Sequence, residues 1–190
     1  MKTINITDVP NRNKLTTEPI LLFKKIKYKQ NWLKPKGVWY GLKHYWLDYY
    51  TNNYERKQTS KFKYNGFIYK IKITTEIFTT INLPNKNKIL LIKSIKDLKA
   101  FEQLYYYKKI TKTTNECQKF LGEKVLYINW NQVTKDFGGI EINYNPWSNG
   151  QFLLNDNYKN YLPFWYSLWD VPSGCIWSYD LLKQIKFILL

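Results

Sequence analysis

The chain has 190 residues, 44% of them hydrophobic and 18% aromatic, with a formal net charge of +16; that is enough for a core and fits one large domain, the organisation expected here. No run approaches the roughly 18 to 20 apolar residues of a bilayer-spanning helix, and the first residues lack the apolar segment of a secretory signal, so a soluble, intracellular protein without membrane contact is expected. One histidine, His44, and two distant cysteines, Cys117 and Cys175, leave no conventional His/Cys zinc site and no disulfide framework.

Residues 1–19 are polar, contain Pro10 and Pro19, and read as an arm ahead of a domain over 20–190. Ile20 to Tyr28, apolar and then alternating, reads as a strand. Lys34-Pro35-Lys36-Gly37 is a turn signal before a short buried strand at Val38-Trp39-Tyr40, and His44 to Tyr54 spaces its aromatics like a short helix. From Phe67 to Thr74, Phe67, Tyr69, Ile71 and Ile73 alternate with Ile68, Lys70, Lys72 and Thr74, which predicts a strand with one buried and one basic face. Lys88 to Ile92 is a second compact strand. Ser94 followed three residues later by Asp97 has the spacing of a capping box and opens a helix whose apolar stripe is Leu98, Phe101 and Leu104. Asn129 to Phe137 reads as a short capped helix, then Gly138-Gly139 leads into a strand at Ile140-Glu141-Ile142. Strands mixed with short helices, without an internal repeat, predict a single compact α+β domain with mixed or antiparallel sheets.

The charge is uneven. Residues 1–95 hold 19 Lys and Arg against 5 Asp and Glu, whereas residues 96–190 hold 11 against 9. Lysines interleaved with Tyr, Phe and Trp suit a phosphate backbone and its bases, which makes nucleic acid a candidate partner and Lys61, Lys63, Lys70 and Lys72 candidate contacts. A chain rich in Lys, Asn, Ile and Tyr with only Arg12 and Arg56 as arginines is also what AT-rich coding produces, so both readings of the charge stay open.

Three constellations carry possible chemistry. In Lys34 to Gly41 two glycines bracket a strand, leaving backbone N–H groups to hold a carboxamide or phosphate, or simply turning into the core. Glu141, between two isoleucines, points opposite to them, either into a cleft or into water. Trp165, Trp169 and Trp177 surround Asp170 and the turn Pro172-Ser173-Gly174, either as a core cluster or as a face that presents Asp170 or Ser173 at a sheet edge. Cys175 has no activating histidine in its segment, since His44 is the chain's single one.

The blocks Lys-Pro-x-Gly-Val-Trp-Tyr-Gly at 34–41, Ile-Asn-Trp at 128–130, Gly-Gly-Ile-Glu-Ile at 138–142 and Trp-x-x-x-Trp-Asp-x-x-Ser-Gly-Cys-Ile-Trp at 165–177 resemble a group of large-DNA-virus and phage proteins whose layout is similar to ADP-ribosyltransferase-like domains. The resemblance implies a split α+β fold that grips NAD. The backbone of Gly37, Val38 and Trp39 would hold the nicotinamide amide, Tyr40 would stack on the ring, and Lys34, Trp169, Asp170 and Ser173 would complete the cofactor site. Glu141 would bind a ribose hydroxyl and stabilise the developing oxocarbenium charge. It further implies ADP-ribosyl transfer to a nucleic-acid or protein target in the host cytoplasm. Lys34 to Gly41 holds neither the early histidine nor the early arginine typical of that superfamily, and its Ser-Thr-Ser strand is not evident, so either activity is lost or the cleft takes another nucleotide. A non-enzymatic, basic nucleic-acid-binding or virion-associated protein is the alternative.

Overall fold

A computed structural model describes residues 2–5, 10–16, 34–46, 61–64, 67–106, 128–144, 164–167, 169 and 172–190. Two strands, β1 (Lys2–Asn5) and β4 (Lys61–Tyr64), pair antiparallel as a small separate sheet. The main sheet has eight strands. In spatial order they are β10 (Lys186–Leu189), β5 (Phe67–Lys72), β2 (Arg12–Thr16), β3 (Val38–Leu42), β9 (Ser173–Ile176), β8 (Phe137–Ile142), β7 (Asn85–Ile92) and β6 (Phe78–Thr79). β6, β7 and β8 run parallel to one another, and all other contacts in this sheet are antiparallel. The result is an α+β fold built on one curled, mixed sheet with few, short helices.

Local sequence explains several of these elements. β5 buries Tyr69 and Ile71 and exposes Lys70 and Lys72, as its alternation requires, while Ile68 is also buried. Every residue of β8 is buried because the strand lies between β7 and β9 with packed layers on both faces. Helix α1 (Ile95–Tyr105) starts at a complete capping box: the Ser94 hydroxyl accepts from Asp97 N, and the Asp97 carboxylate accepts from Ser94 N. Its packed face is Leu98, Phe101, Glu102 and Tyr105, a full i, i+3, i+4, i+7 stripe. Leu104, expected on that stripe, falls outside it and is exposed. Helix α2 (Trp130–Asp136) is capped by the Asn129 side chain, which accepts from Gln132 N.

The two faces of the sheet bury different cores. On one, α1, α2 and α3 (Phe164–Ser167) pack Phe101, Trp130 and Trp165 over Leu90, Ile92, Ile140, Ile142 and Cys175. On the other, Val38, Tyr40, Leu42, Ile71, Ile89 and Ile176 meet Leu181 and Leu182 of α4 (Tyr179–Gln184). This second face is the inside of the curl. The Arg12 guanidinium of β2 lies 4.8 Å from the ring centre of Phe78 in β6, although four strands separate β2 from β6 in the sheet.

The stretch expected as an arm over 1–19 contributes β1 and β2, and β2 is an interior strand. Its polar sequence is accommodated because β3 and β5 flank it, Leu15 and Asn13 are buried, and Arg12 has a buried partner. The strand expected over Ile20 to Tyr28 lies outside the described residues. So does the His44 to Tyr54 helix beyond a helical turn at Tyr45 and Trp46. Among the described residues no helix is long and apolar enough to cross a membrane.

Candidate functional site

The three motif-bearing strands β3, β9 and β8 are direct neighbours, and their register aligns Tyr40, Gly174 and Glu141 in one row. Gly174 is what lets that row form. A Cβ there would sit 2.2 Å from Tyr40 Cζ, so only a residue without a side chain allows the tyrosine ring to lie across β9 and reach β8. The Tyr40 hydroxyl donates to Glu141 Oε2 at 2.7 Å. Arg12 completes the cluster with two bonds, Nε to Oε2 at 2.7 Å and Nη2 to Oε1 at 2.9 Å. This is the fork geometry in which arginine outperforms lysine.

Glu141 has no exposed surface, whereas the Arg12 side chain retains 26%. Burial opposes the Arg12 charge, but the bonds to Glu141 outweigh it and raise the guanidinium above its ordinary pKa. Burial, reinforced by the Glu141 carboxylate, pushes the Tyr40 phenol well above its usual value and holds it as a neutral donor. Glu141 therefore points neither into water nor into an open cleft. It is the centre of a buried, fully hydrogen-bonded ion pair, and binding a ribose hydroxyl there would displace Arg12 or Tyr40.

The expected nicotinamide-binding backbone is also engaged otherwise. Val38, Trp39 and Tyr40 pair with Ile176, Cys175 and Gly174, so this edge belongs to the sheet ladder. A Cβ at Gly37 would lie 2.5 Å from Ile176 O and 2.7 Å from Cys175 Sγ, which makes that glycine a close-packing position against β9. Lys34 places Nζ 5.7 Å from the half-buried Trp39 ring, and Trp39 meets buried Trp169 edge-on at 4.7 Å. Trp169 in turn adjoins Trp130 and Trp165 in the core. Asp170 lies outside the described residues. Lys61 and Lys63 are on β4 with their side chains outside the description, and Lys70 and Lys72 are exposed on β5. Cys175 is buried in the core, and burial pushes its thiol pKa well up.

Sequence reasoning missed Arg12. Its signal was composition: in a chain that otherwise uses lysine for its cations, one of two arginines sits in a polar leader where simple solubility would be served by lysine.

The opposite face of the same strands, on the side of α1, α2 and α3, has a different polar inventory. Ile142, Ser173, Gly41, Asn13, Lys70 and Ile188 form a continuous row across β8, β9, β3, β2, β5 and β10. Trp46 sits over Gly41, where a Cβ would be 2.6 Å from Trp46 Cγ. The two residues flanking Gly41 in this row each bury a polar atom without a hydrogen-bond partner, Ser173 Oγ and Asn13 Oδ1. The Asn13 amide orientation is set by its Nδ2, which donates to Pro10 O and Lys43 O. Beyond Asn13, β2 leaves β3, and the Lys14 ammonium replaces a ladder donor by bonding Trp39 O at 3.0 Å. Burial lowers the Lys14 pKa, against the influence of nearby Cys175.

At the β5–β10 end, Lys72 stands directly opposite Lys186, and Lys70 shares their face. All three are exposed, as is Lys43, whose φ of 49° turns the chain away at the end of β3. None of the four enters an ion pair among the described residues. A separate open groove of about 530 Å³, lined by residues including Glu76, Lys88, Asp180 and Gln184, contains no candidate from the sequence. Among the described residues no three His, Cys, Asp or Glu side chains are grouped as metal ligands. Compared with known proteins, the chain matches no family model, no curated protein and no solved structure.

Proposed function

We propose that the protein is a non-enzymatic nucleic-acid-binding module that holds phosphates at the β5–β10 end of its main sheet. The observation that carries this reading is the Lys72–Lys186 pair. Like charges placed opposite each other across two strands are destabilising, and here Lys70 adds a third exposed ammonium to the same face. A phosphate backbone offsets that repulsion. If Lys43, Lys70, Lys72 and Lys186 each neutralise one phosphate, the logarithm of affinity for a single strand falls with that of salt concentration at a slope of about −3. Titration of a labelled oligonucleotide at several salt concentrations measures this slope. The double variant Lys70→Glu/Lys72→Glu is expected to abolish most of it, and affinity indifferent to both salt and charge reversal rejects the reading.

A second reading, ADP-ribosyltransferase-like nucleotide binding with NAD, is favoured by one observation: its motifs lie on the adjacent strands β3, β9 and β8. Turnover in that case requires the Arg12–Glu141–Tyr40 cluster to open toward the ligand. A ligand that binds only the folded protein raises its melting temperature. A shift with NAD that a nucleotide lacking nicotinamide does not reproduce, together with nicotinamide release, would favour this reading over the first.

A further inference from the structure

We infer that the small ribbon of β1 and β4 reads base edges in the major groove of duplex DNA, through the face that carries Thr3, Lys63, Asn5 and Lys61; this rests on the nucleic-acid reading above and names the form of nucleic acid. Phosphate contacts position a protein but carry no information about the bases. The ribbon supplies what they lack. Thr3 stands opposite Lys63 and Asn5 opposite Lys61, so these four share one face, while Lys2 opposite Tyr64 and Ile4 opposite Phe62 share the other. One face is therefore wholly polar, and the other holds every aromatic and aliphatic residue of the ribbon.

This division selects the partner. Unpaired bases are held by stacking on aromatic rings, and both aromatic residues of the ribbon, Phe62 and Tyr64, belong to the other face. The polar face instead carries residue types that recognise base edges in the major groove: lysine for guanine O6 and N7, asparagine for adenine N6 and N7, and the threonine methyl for that of thymine. The dimensions agree. Two strands about 4.8 Å apart and about 13 Å long fit a B-form major groove about 12 Å wide, whereas the deep, narrow groove of an RNA duplex cannot be read in this way. Chain connectivity keeps the phosphate-holding lysines close to the ribbon. β4 ends at Tyr64 and β5 begins at Phe67, so Lys72 is at most about 29 Å from Tyr64, less than one duplex turn of about 34 Å. Lys70, Lys72 and Lys186 then meet the backbone that flanks the groove.

The test compares a mixed-sequence DNA duplex of about sixteen base pairs with the same duplex in which 7-deazaguanine replaces every guanine, which removes a major-groove acceptor and leaves charge and base pairing unchanged. The full wild-type chain is expected to bind the natural duplex about tenfold more tightly, the worth of one base-edge contact. In Lys61→Gln/Lys63→Gln that preference should fall to about twofold or less. Equal affinity of the wild type for the two duplexes, with salt dependence intact, overturns the groove-reading ribbon and leaves the phosphate reading standing. A preference undiminished in the double variant also overturns it, as does tighter binding of a single strand than of the natural duplex. Failure of duplex and single strand alike to bind at low salt overturns the ribbon's role and the nucleic-acid reading together.

Discussion

The two faces of strands β3, β9 and β8 solve the same problem in opposite ways. Inside the curl, Arg12, Tyr40 and Glu141 bury strongly polar groups and satisfy both carboxylate oxygens. On the opposite face, one residue along the same strands, Ser173 Oγ and Asn13 Oδ1 are buried and unsatisfied, as are the indole nitrogens of Trp130, Trp165 and Trp169. A buried polar cluster with every partner present belongs to the fold, whereas buried groups left unpaired cost stability unless something else meets them. Since the unpaired indoles belong to the core, a missing partner alone does not mark a site.

Substitutions should divide along that line. Glu141→Gln carries the largest expected effect, about 3 kcal/mol, because it leaves the Arg12 charge partly buried without its counter-ion. Urea denaturation measures it, and replacing Arg12 by Met in the same chain should recover part of the loss. A Glu141→Gln variant as stable as wild type would remove the scaffold half of the comparison. Gly174→Ala follows at about 2 kcal/mol, from a Cβ forced against the Tyr40 ring; an unshifted denaturation midpoint would mean that the ring does not lie over β9. Tyr40→Phe should cost about 1.5 kcal/mol, the loss of one hydrogen bond to a charged acceptor.

The same tyrosine sets a pH dependence. Its folded-state pKa lies above its unfolded value near 10, so the folded protein holds the proton longer and stability is lost as pH rises beyond about 10. Tyr40→Phe should flatten this alkaline slope in melting temperatures taken between neutral pH and pH 11, without removing it, since burial also raises Tyr105 and Tyr166. The smallest effect is expected on the other face. Ser173→Ala deletes an unpaired hydroxyl and should change stability by no more than about 0.5 kcal/mol. A loss as large as that of Tyr40→Phe would show that the hydroxyl is satisfied within the fold and would erase the contrast between the faces.

What could be read ahead of the structure was local. The β5 alternation, the Ser94–Asp97 capping box and the Asn129 cap all lie within a few residues of the groups they satisfy, and all are present. The candidate site was legible only in part. Tyr40, Ser173 and Glu141 stood out as polar residues in apolar or turn-forming surroundings, but their surroundings in sequence said nothing of their partners. Glu141 between two isoleucines invited a cleft or solvent because strand alternation specifies that a residue faces away from its neighbours, not what waits on that side. Leu104 missed its stripe because helix α1 packs on one flank of its apolar arc rather than the other, a choice made by the sheet beneath it.

By itself, then, the amino-acid order determined periodicity, caps and the excess of lysine in the first half, since each follows from residues close together in the chain. Only the tertiary structure decided that a polar leader becomes an interior strand, that Arg12 meets Glu141 across 129 positions, and that Lys72 faces Lys186. Those pairings arise from the sheet curling and from strands remote in sequence sharing a register, and no local preference encodes which distant strand a given strand will join.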